Sequence, residues 1–193
     1  MELILASASP RRRELLELMG LPFTVIVSGE KEIPPENASV SEVVCALSCQ
    51  KAEHVYKEHP DACVIGADTV VELDGEILGK PHTPENAYAY LKRLQGRSHN
   101  VYTGLTVITK AGPDTRFCKT HVTFRPMTDD EIRWYVSTGD PLDKAGSYGV
   151  QGLACFFVDK IEGNYFNVVG MPIPLLYDML LDAGVIDHAH RIL

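Results

Sequence analysis

The stretch Ala62–Val71 reads ACVIGADTVV, an almost continuous apolar run that contains one carboxylate, Asp68, followed by Thr69. A run of this kind is typical of a strand buried on both faces. A carboxylate there must be paired, bind a metal or face a cleft, because an isolated buried charge is too costly. Asp68 is therefore a candidate metal ligand or general base, mounted on a rigid strand, and a purely structural ion pair is the alternative.

Working outward from this strand, the pattern alternates strands and helices, as in an α/β or α+β protein. Predicted strands cover residues 3–6, 23–27, 62–73, 76–78, 101–110 and 116–124. Predicted helices begin at residues 10, 41, 84, 129 and 172, with Ser9, Thr83 and Thr128 placed at N-termini. A turn at Asp74-Gly75 predicts one hairpin, and residues 153–158 with 165–169 predict another.

Length and composition predict a globular protein. The chain has 193 residues, a hydrophobic fraction of 45% and a net charge of −8, from 18 Lys plus Arg against 26 Asp plus Glu. We expect one domain over residues 1–193, with two small lobes around a cleft as a possible arrangement and a frayed tail at 185–193. The acidic balance argues against a nucleic-acid partner, while leaving room for a small anionic substrate held by local cations.

The same sequence predicts a cytoplasmic location. No apolar run approaches the length of a membrane helix, and the N-terminal residues lack the cationic start of a signal peptide. The five cysteines are odd in number and unevenly spread, so we expect reduced core thiols.

Several cations occupy positions that stability alone does not explain. Arg11 and Arg12 fall in the first turn of a predicted helix, where the helix dipole disfavours positive charge. An anion docked there would make sense of them; a solvated basic turn is the alternative. Lys51 lies on the apolar stripe of the long second helix, so it either extends to solvent or points into a polar pocket. Lys80 follows a glycine, but the surrounding residues do not match the Walker phosphate-binding loop. We therefore expect Lys80 to bind phosphate as an individual point charge.

Two further features complete a candidate site. Residues 140–152, DPLDKAGSYGVQG, form a glycine-dense loop that permits close approach to a ligand, or is simply a connection with turn glycines. Gln151 at its end has an amide that can read a base edge. Cations that hold a polyphosphate, with Asp68 and Glu32 as carboxylates that hold a divalent metal, would make one coherent site.

Seven ordered segments of this sequence resemble the Maf family of nucleoside triphosphate pyrophosphatases. The resemblance covers about residues 3–184, and its segments are residues 5–12, 51–52, 66–71, 78–81, 101–104, 141–152 and 167–172. It implies hydrolysis between the α and β phosphates of a nucleoside triphosphate, with Mg²⁺ or Mn²⁺ as cofactor. It also implies a fold similar to that of inosine triphosphate pyrophosphatases, with a mixed twisted sheet flanked by helices and two lobes around a central cleft. A possible homodimer is a further expectation from the family.

The resemblance carries roles to individual positions. Asp68 matches the catalytic carboxylate that accepts a proton, and Glu32 falls at the second acidic position, as a metal ligand; the neighbouring Glu30 is the alternative. The positions that line the phosphate site in the family are Ser7, Arg11, Lys51 and Lys80, with Arg12 beside them. Three residues match the branch that acts on dTTP and UTP: Arg12, Thr69 and Gln151.

Two other functions stay open from the sequence. A triphosphate-binding regulator of cell division would bind the nucleotide with little turnover. An enzyme that acts on a different phosphoanhydride would release orthophosphate.

Overall fold

The computed structural model describes residues 1–27, 29, 31–189 and 191–193. Within these residues the chain forms a mixed α/β fold with a seven-stranded sheet. The strands are β1 Leu3–Leu5, β2 Thr24–Val25, β3 Cys63–Leu73, β4 Glu76–Leu78, β5 Ser98–Thr109, β6 Gly112–Phe124 and β7 Val158–Glu162. The helices are α1 Pro10–Glu17, α2 Val40–Glu58, α3 Pro84–Leu94, α4 Asp129–Ser137, α5 Tyr165–Val169 and α6 Ile173–Asp182.

The sheet mixes parallel and antiparallel strands. Its order is β2-β1-β3-β5-β6-β7, and β4 pairs with β3. Strand β1 is parallel to both β2 and β3, whereas β4 is antiparallel to β3 and β7 is antiparallel to β6. The mixed α/β class predicted from the alternating pattern is confirmed.

The chain divides into two compact units. The first contains Met1–Asp68, Thr103–Cys118 and Gly170–Leu193, and the second contains Thr69–Tyr102 and Lys119–Val169. The cleft expected between two lobes stays a prediction.

In the first unit, two glycines let α2 pack directly onto the backbone of the sheet. A Cβ atom on Gly66 of β3 would collide with the carbonyl oxygen of Ser48 and lie 2.9 Å from the Cβ of Ala52. A Cβ on Gly104 of β5 would collide with the carbonyl of Val44. Only glycine permits this approach, and the approach decides which α2 side chains reach the middle of β3. One apolar cluster of this unit contains Ile4, Ala6, Ala52, Val55, Ala62, Val64 and Ile108.

The second unit has its own apolar core. Aromatic rings lie near its centre, where the rings of His99, Phe124 and Tyr148 meet edge to face at centroid distances of 4.8–5.3 Å. The fully buried Tyr135 and Phe157 pack beside each other at 5.5 Å. Separate buried cores explain why each unit is compact by itself.

Local sequence signals predicted most element ends correctly. Thr128 with Glu131 forms a reciprocal capping box at the start of α4, where a helix start was predicted. A second capping box, Ser39 with Glu42, starts α2 at Val40, one residue before the predicted start. The β3–β4 hairpin turns at Asp74-Gly75 with both φ angles positive, 56° and 84°, as expected for this dipeptide. Helix α1 begins after Ser9 as predicted, but the Ser9 side chain makes no capping hydrogen bond.

The predicted hairpin of residues 153–158 and 165–169 is wrong. Leu153–Phe156 is a 3-10 turn, β7 begins at Val158, and Tyr165–Val169 is helical. The Asn164 side chain accepts a hydrogen bond of 2.9 Å from the backbone N–H of Asn167. This cap starts a helix where the apolar run alone predicted a strand, and β7 pairs with β6 instead.

The remaining expectations concern thiols, membranes and the C-terminus. All five cysteines are free; Cys63 is buried, and burial raises the pKa of its thiol to about 12, but Cys155 is exposed and is no core residue. Among the residues that the structure describes, no helix is long and apolar enough to cross a membrane. In the tail, Ile186 pairs with Ile192 in an isolated antiparallel bridge.

Candidate active site

The strand carboxylate and the lysine on the apolar stripe meet in the first unit. Because Ser48 and Ala52 of α2 contact Gly66, the intervening Lys51 reaches Asp68, two residues farther along the same face of β3. Lys51 Nζ donates to Asp68 Oδ1 at 2.5 Å. Only 15% of the Lys51 side chain and 12% of the Asp68 side chain are exposed. Lys51 therefore points into a polar pocket rather than out to solvent.

Glu32 is the second carboxylate on the same ammonium group. Its Oε2 atom lies 3.2 Å from Lys51 Nζ, and 42% of its side chain is exposed. The cluster of Lys51, Asp68 and Glu32 holds one positive and two negative charges, so it has spare capacity for a further cation. In the described part of the chain, Asp68 makes no other ion pair or side-chain hydrogen bond, and its second oxygen is available to a ligand.

Gln50 holds Glu32 in place, and sequence reasoning missed it. The Gln50 amide accepts from the backbone N–H of Ile33 at 2.9 Å and donates to the carbonyl of Ile33 at 2.7 Å. This pair of hydrogen bonds joins the loop that carries Glu32 to α2, one residue away from Lys51. Nothing in the local sequence pairs a glutamine with a backbone group 17 residues earlier. Glu30, the alternative second acidic residue, lies outside the described residues.

Arg12 is the second fixed cation of the first unit. Its Nε donates to the carbonyl oxygen of Gly170 at 3.0 Å, and its Nη1 donates to Ser7 Oγ at 3.3 Å. Burial lowers the pKa of Arg12, attraction to Asp68 raises it, repulsion from Arg11 lowers it again, and attraction to Glu32 raises it. Arg12 therefore interacts electrostatically with the carboxylates of Asp68 and Glu32.

Ser7 and Arg11 lie in the same region of the chain but differ in how they are held. Ser7 is buried, and its hydroxyl oxygen accepts from both Arg12 and the backbone N–H of Ser9, the latter at 3.2 Å. Arg11 is partly buried and has no hydrogen bond or ion pair with any residue the structure describes. The uncapped start of α1 beside it presents backbone N–H groups, as an anion site requires.

The other three candidate residues, Thr69, Lys80 and Gln151, belong to the second unit. Lys80 and Gln151 are exposed, and neither makes a hydrogen bond or ion pair with any described residue. Thr69 follows Asp68 on β3 and is partly buried. Their placement beside the Lys51 cluster stays a prediction.

The glycine-dense loop has structural reasons for its glycines. Gly146, at φ 64°, lies so close to Val71 that a Cβ atom would come within 2.6 Å of that side chain. A Cβ on Gly149 would lie 2.9 Å from the side chain of Lys144. The loop's own packing thus uses two of these glycines, and close approach of a ligand stays a prediction.

Fold and site together define an α/β protein with a partly buried acidic cluster and nearby cations. A solved structure with a similar fold is that of the Staphylococcus aureus Ham1 protein, with a TM-score of 0.55 and 16% identity. The match covers 95% of this chain and 100% of that chain. At this identity the likeness concerns the fold alone.

The particular family follows from the sequence comparisons. The family model for Maf-like protein matches residues 2–183, and this chain belongs to that family. A Bacillus velezensis protein named dTTP/UTP pyrophosphatase is 49% identical over 171 residues, covering 89% of this chain and 90% of its own. A Syntrophus aciditrophicus protein of the same name is 48% identical over 185 residues, covering 95% of this chain and 90% of its own. The resemblance on which the site assignments rest is thereby confirmed.

The donor set fits a divalent cation that is bound together with substrate. The described residues contain no group of three or more His, Cys, Asp or Glu that could hold a metal ion by themselves. Mg²⁺ commonly takes one or two carboxylates, several waters and substrate phosphate oxygens. Asp68 and Glu32, which converge on one ammonium nitrogen, meet that requirement as its two protein ligands.

Proposed function

We propose that this chain hydrolyses dTTP and UTP between the α and β phosphates, releasing a nucleoside monophosphate and pyrophosphate. The observation that carries the proposal is the cluster of Lys51, Asp68 and Glu32, found in a chain 47–49% identical to proteins named dTTP/UTP pyrophosphatase. The names of these relatives favour an enzyme over a binding regulator.

Asp68 is the residue that activates water. Its carboxylate accepts a proton from the water as the water oxygen bonds to the α-phosphorus. The bond from that phosphorus to the bridging oxygen then breaks, and pyrophosphate leaves with the bonding electrons. A base fixed on a strand suits this step, since the water must stay in line with the leaving group. Lys51 orients Asp68 through their 2.5 Å hydrogen bond.

The cations bind the triphosphate. Arg11, Arg12, Lys51 and Lys80 neutralise its charge, and the Ser7 hydroxyl and the N-terminus of α1 donate hydrogen bonds to phosphate oxygens. Mg²⁺ or Mn²⁺, when bound by Asp68 and Glu32, supplies charge neutralisation on the phosphate oxygens.

Base selection is assigned to Arg12, Thr69 and Gln151. The exposed Gln151 amide offers one donor and one acceptor group to a pyrimidine edge, with no competing partner among the described residues. We further propose a cytoplasmic enzyme with a small-molecule nucleotide substrate, with neither nucleic acid nor membrane as partner, that forms a homodimer.

Product analysis tests this function. The pure protein is incubated with dTTP, UTP, CTP, ATP and GTP in the presence of Mg²⁺ or Mn²⁺, and the products are separated by anion exchange. We expect monophosphate and pyrophosphate selectively from dTTP and UTP. Orthophosphate as the first product would indicate a different phosphoanhydride, and tight binding without turnover would favour the regulator. Turnover of other bases alone would remove the roles of Thr69 and Gln151.

A further inference from the structure

The hydrogen bond between Arg12 and Gly170 joins two distant parts of the chain within the first unit. Arg12 lies in the first turn of α1, and Gly170 precedes α6, 158 residues later. The Nε–H of an arginine lies in the plane of its guanidinium group, so the acceptor on Nε fixes the direction of that plane. The second bond, from Nη1 to Ser7 Oγ, fixes the rotation of the same group. These two acceptors therefore restrain the orientation of Arg12 before any ligand binds.

Gly170 has a backbone conformation that other residues rarely adopt. Its φ is 126°, within the region that a Cβ atom disfavours. The residue is buried, and the next residue, Met171, is fully buried, so the backbone has little freedom to adjust. A side chain at position 170 would rotate the peptide plane and move the carbonyl oxygen away from Arg12.

We propose that Gly170 is a positioning residue for base selectivity, acting through Arg12. Its left-handed backbone directs one carbonyl oxygen at Arg12 Nε and so aims the guanidinium group at the substrate. This inference rests on the proposed function, in which Arg12 contributes to the preference for dTTP and UTP. Part of the preference for dTTP and UTP then depends on the backbone conformation of Gly170.

The test compares Gly170→Ala with the matched control Gly184→Ala. Gly184 also belongs to the first unit and has a positive φ, 63°, but nothing lies within 4 Å of the Cβ position. We expect Gly170→Ala to lower the ratio of kcat/KM for dTTP to that for ATP about tenfold, the size of effect typical of one hydrogen bond to a charged group. Gly184→Ala, which also places an alanine at a positive φ, should leave that ratio unchanged. An equal ratio in both variants would overturn the proposal.

A second comparison, a double-mutant cycle, tests whether Gly170 acts through Arg12. Arg12→Lys keeps the charge but removes the planar group that Gly170 orients. If Gly170 acts through Arg12, the double variant should have the same substrate ratio as Arg12→Lys alone. Additive losses would mean that Gly170 acts by another route, and would refute the proposal.

An activity-independent measurement separates this inference from the proposed function. The Nε–H resonance of Arg12, assigned by its loss in Arg12→Lys, should be protected from solvent exchange in the wild type and lose protection in Gly170→Ala. An unprotected resonance in the wild type would refute the positioning contact. A protein with a protected resonance but no pyrophosphate release would instead refute the proposed function, and the ratio of dTTP to ATP binding would then replace kcat/KM as the readout.

Discussion

Two lysines in this molecule, Lys51 and Lys144, each bind two carboxylates while little of the lysine side chain is exposed, 15% and 12% respectively. The Lys144 cluster is local. Its partners are Asp140 at 3.1 Å and Asp143 at 2.8 Å, and Lys144 also donates to the backbone carbonyl of Asp140. The hydroxyl of Tyr135 donates to the other oxygen of Asp140 at 2.8 Å.

The Lys51 cluster draws on distant parts of the chain. Lys51 comes from α2, Asp68 from β3, and Glu32 from the loop before α2. Both oxygens of Asp140 are used by the protein, whereas the second oxygen of Asp68 has no side-chain partner among the described residues. A lysine between two carboxylates is thus not a functional site in itself. The Lys51 cluster differs from the Lys144 cluster in two ways: its residues come from separate elements, and one Asp68 oxygen remains available to a ligand.

The largest expected effect removes the charge of Asp68. Asp68→Asn keeps the shape of the side chain but cannot accept the proton of water, so we expect kcat for dTTP to fall by about 10³-fold. The melting temperature should stay close to that of the wild type. Asp143→Asn, which changes a carboxylate of the local cluster with 72% of its side chain exposed, is the matched control and should retain turnover. Near-normal rates for Asp68→Asn would refute the assignment.

A pair of lysine variants tests the comparison directly. Lys51→Met removes the ammonium group that contacts Asp68 and that we propose binds the phosphates, so kcat/KM for dTTP should fall by about 100-fold. Lys144→Met should instead leave kcat/KM close to that of the wild type, while both variants should lose stability, since each leaves carboxylates without their ammonium partner. Denaturant titration and steady-state kinetics on both proteins separate these effects. A folded Lys144→Met protein with the greater loss of turnover would reverse the comparison.

A smaller effect concerns the anchor of Glu32. Gln50→Ala removes both hydrogen bonds to Ile33, and the resulting movement of Glu32 should cost about tenfold in kcat/KM. The Mg²⁺ concentration for half-maximal activity should rise with it, since Glu32 is a proposed ligand. Glu53→Gln, on the same helix and exposed, is the control. An unaltered metal requirement would show that Glu32 does not depend on Gln50.

The last prediction concerns stability in the second unit, and no effect on turnover is expected from it. Burial lowers the pKa of His99 from 6.5 to about 3, with repulsion from His121 as a lesser cause. Because the unfolded chain binds a proton that the folded chain excludes, stability should fall as the pH drops below about 6.5, by about 1.4 kcal/mol per pH unit. His99→Gln should flatten this dependence in urea titrations between pH 4 and pH 7, and the exposed His188→Gln should not. Equal slopes in all three proteins would contradict the assignment to His99.

Local sequence signals predicted much of the fold, and they singled out Lys51 and Asp68 as candidate site residues. The start of α4 after Thr128, the turn at Asp74-Gly75 and the buried β3 strand each depend on a few neighbouring residues, and the structure confirms them. The helix at Tyr165–Val169 was missed because one side-chain cap outweighed an apolar pattern.

What the sequence could not predict is the set of partners across long chain distances. The anomalous positions of Lys51 and Asp68 were visible, but their contact depends on how α2 packs against Gly66. The bonds from Gln50 to Ile33 and from Arg12 to Gly170 involve backbone groups, which carry no residue-specific signal.

Isotope transfer tests the central claim most directly. Hydrolysis of dTTP in water enriched in ¹⁸O, with products read by mass spectrometry, shows which phosphorus the water attacks. We expect one ¹⁸O atom in dTMP, none in pyrophosphate, and loss of this product in Asp68→Asn. Label in pyrophosphate or in orthophosphate, or undiminished labelled dTMP from Asp68→Asn, would contradict it.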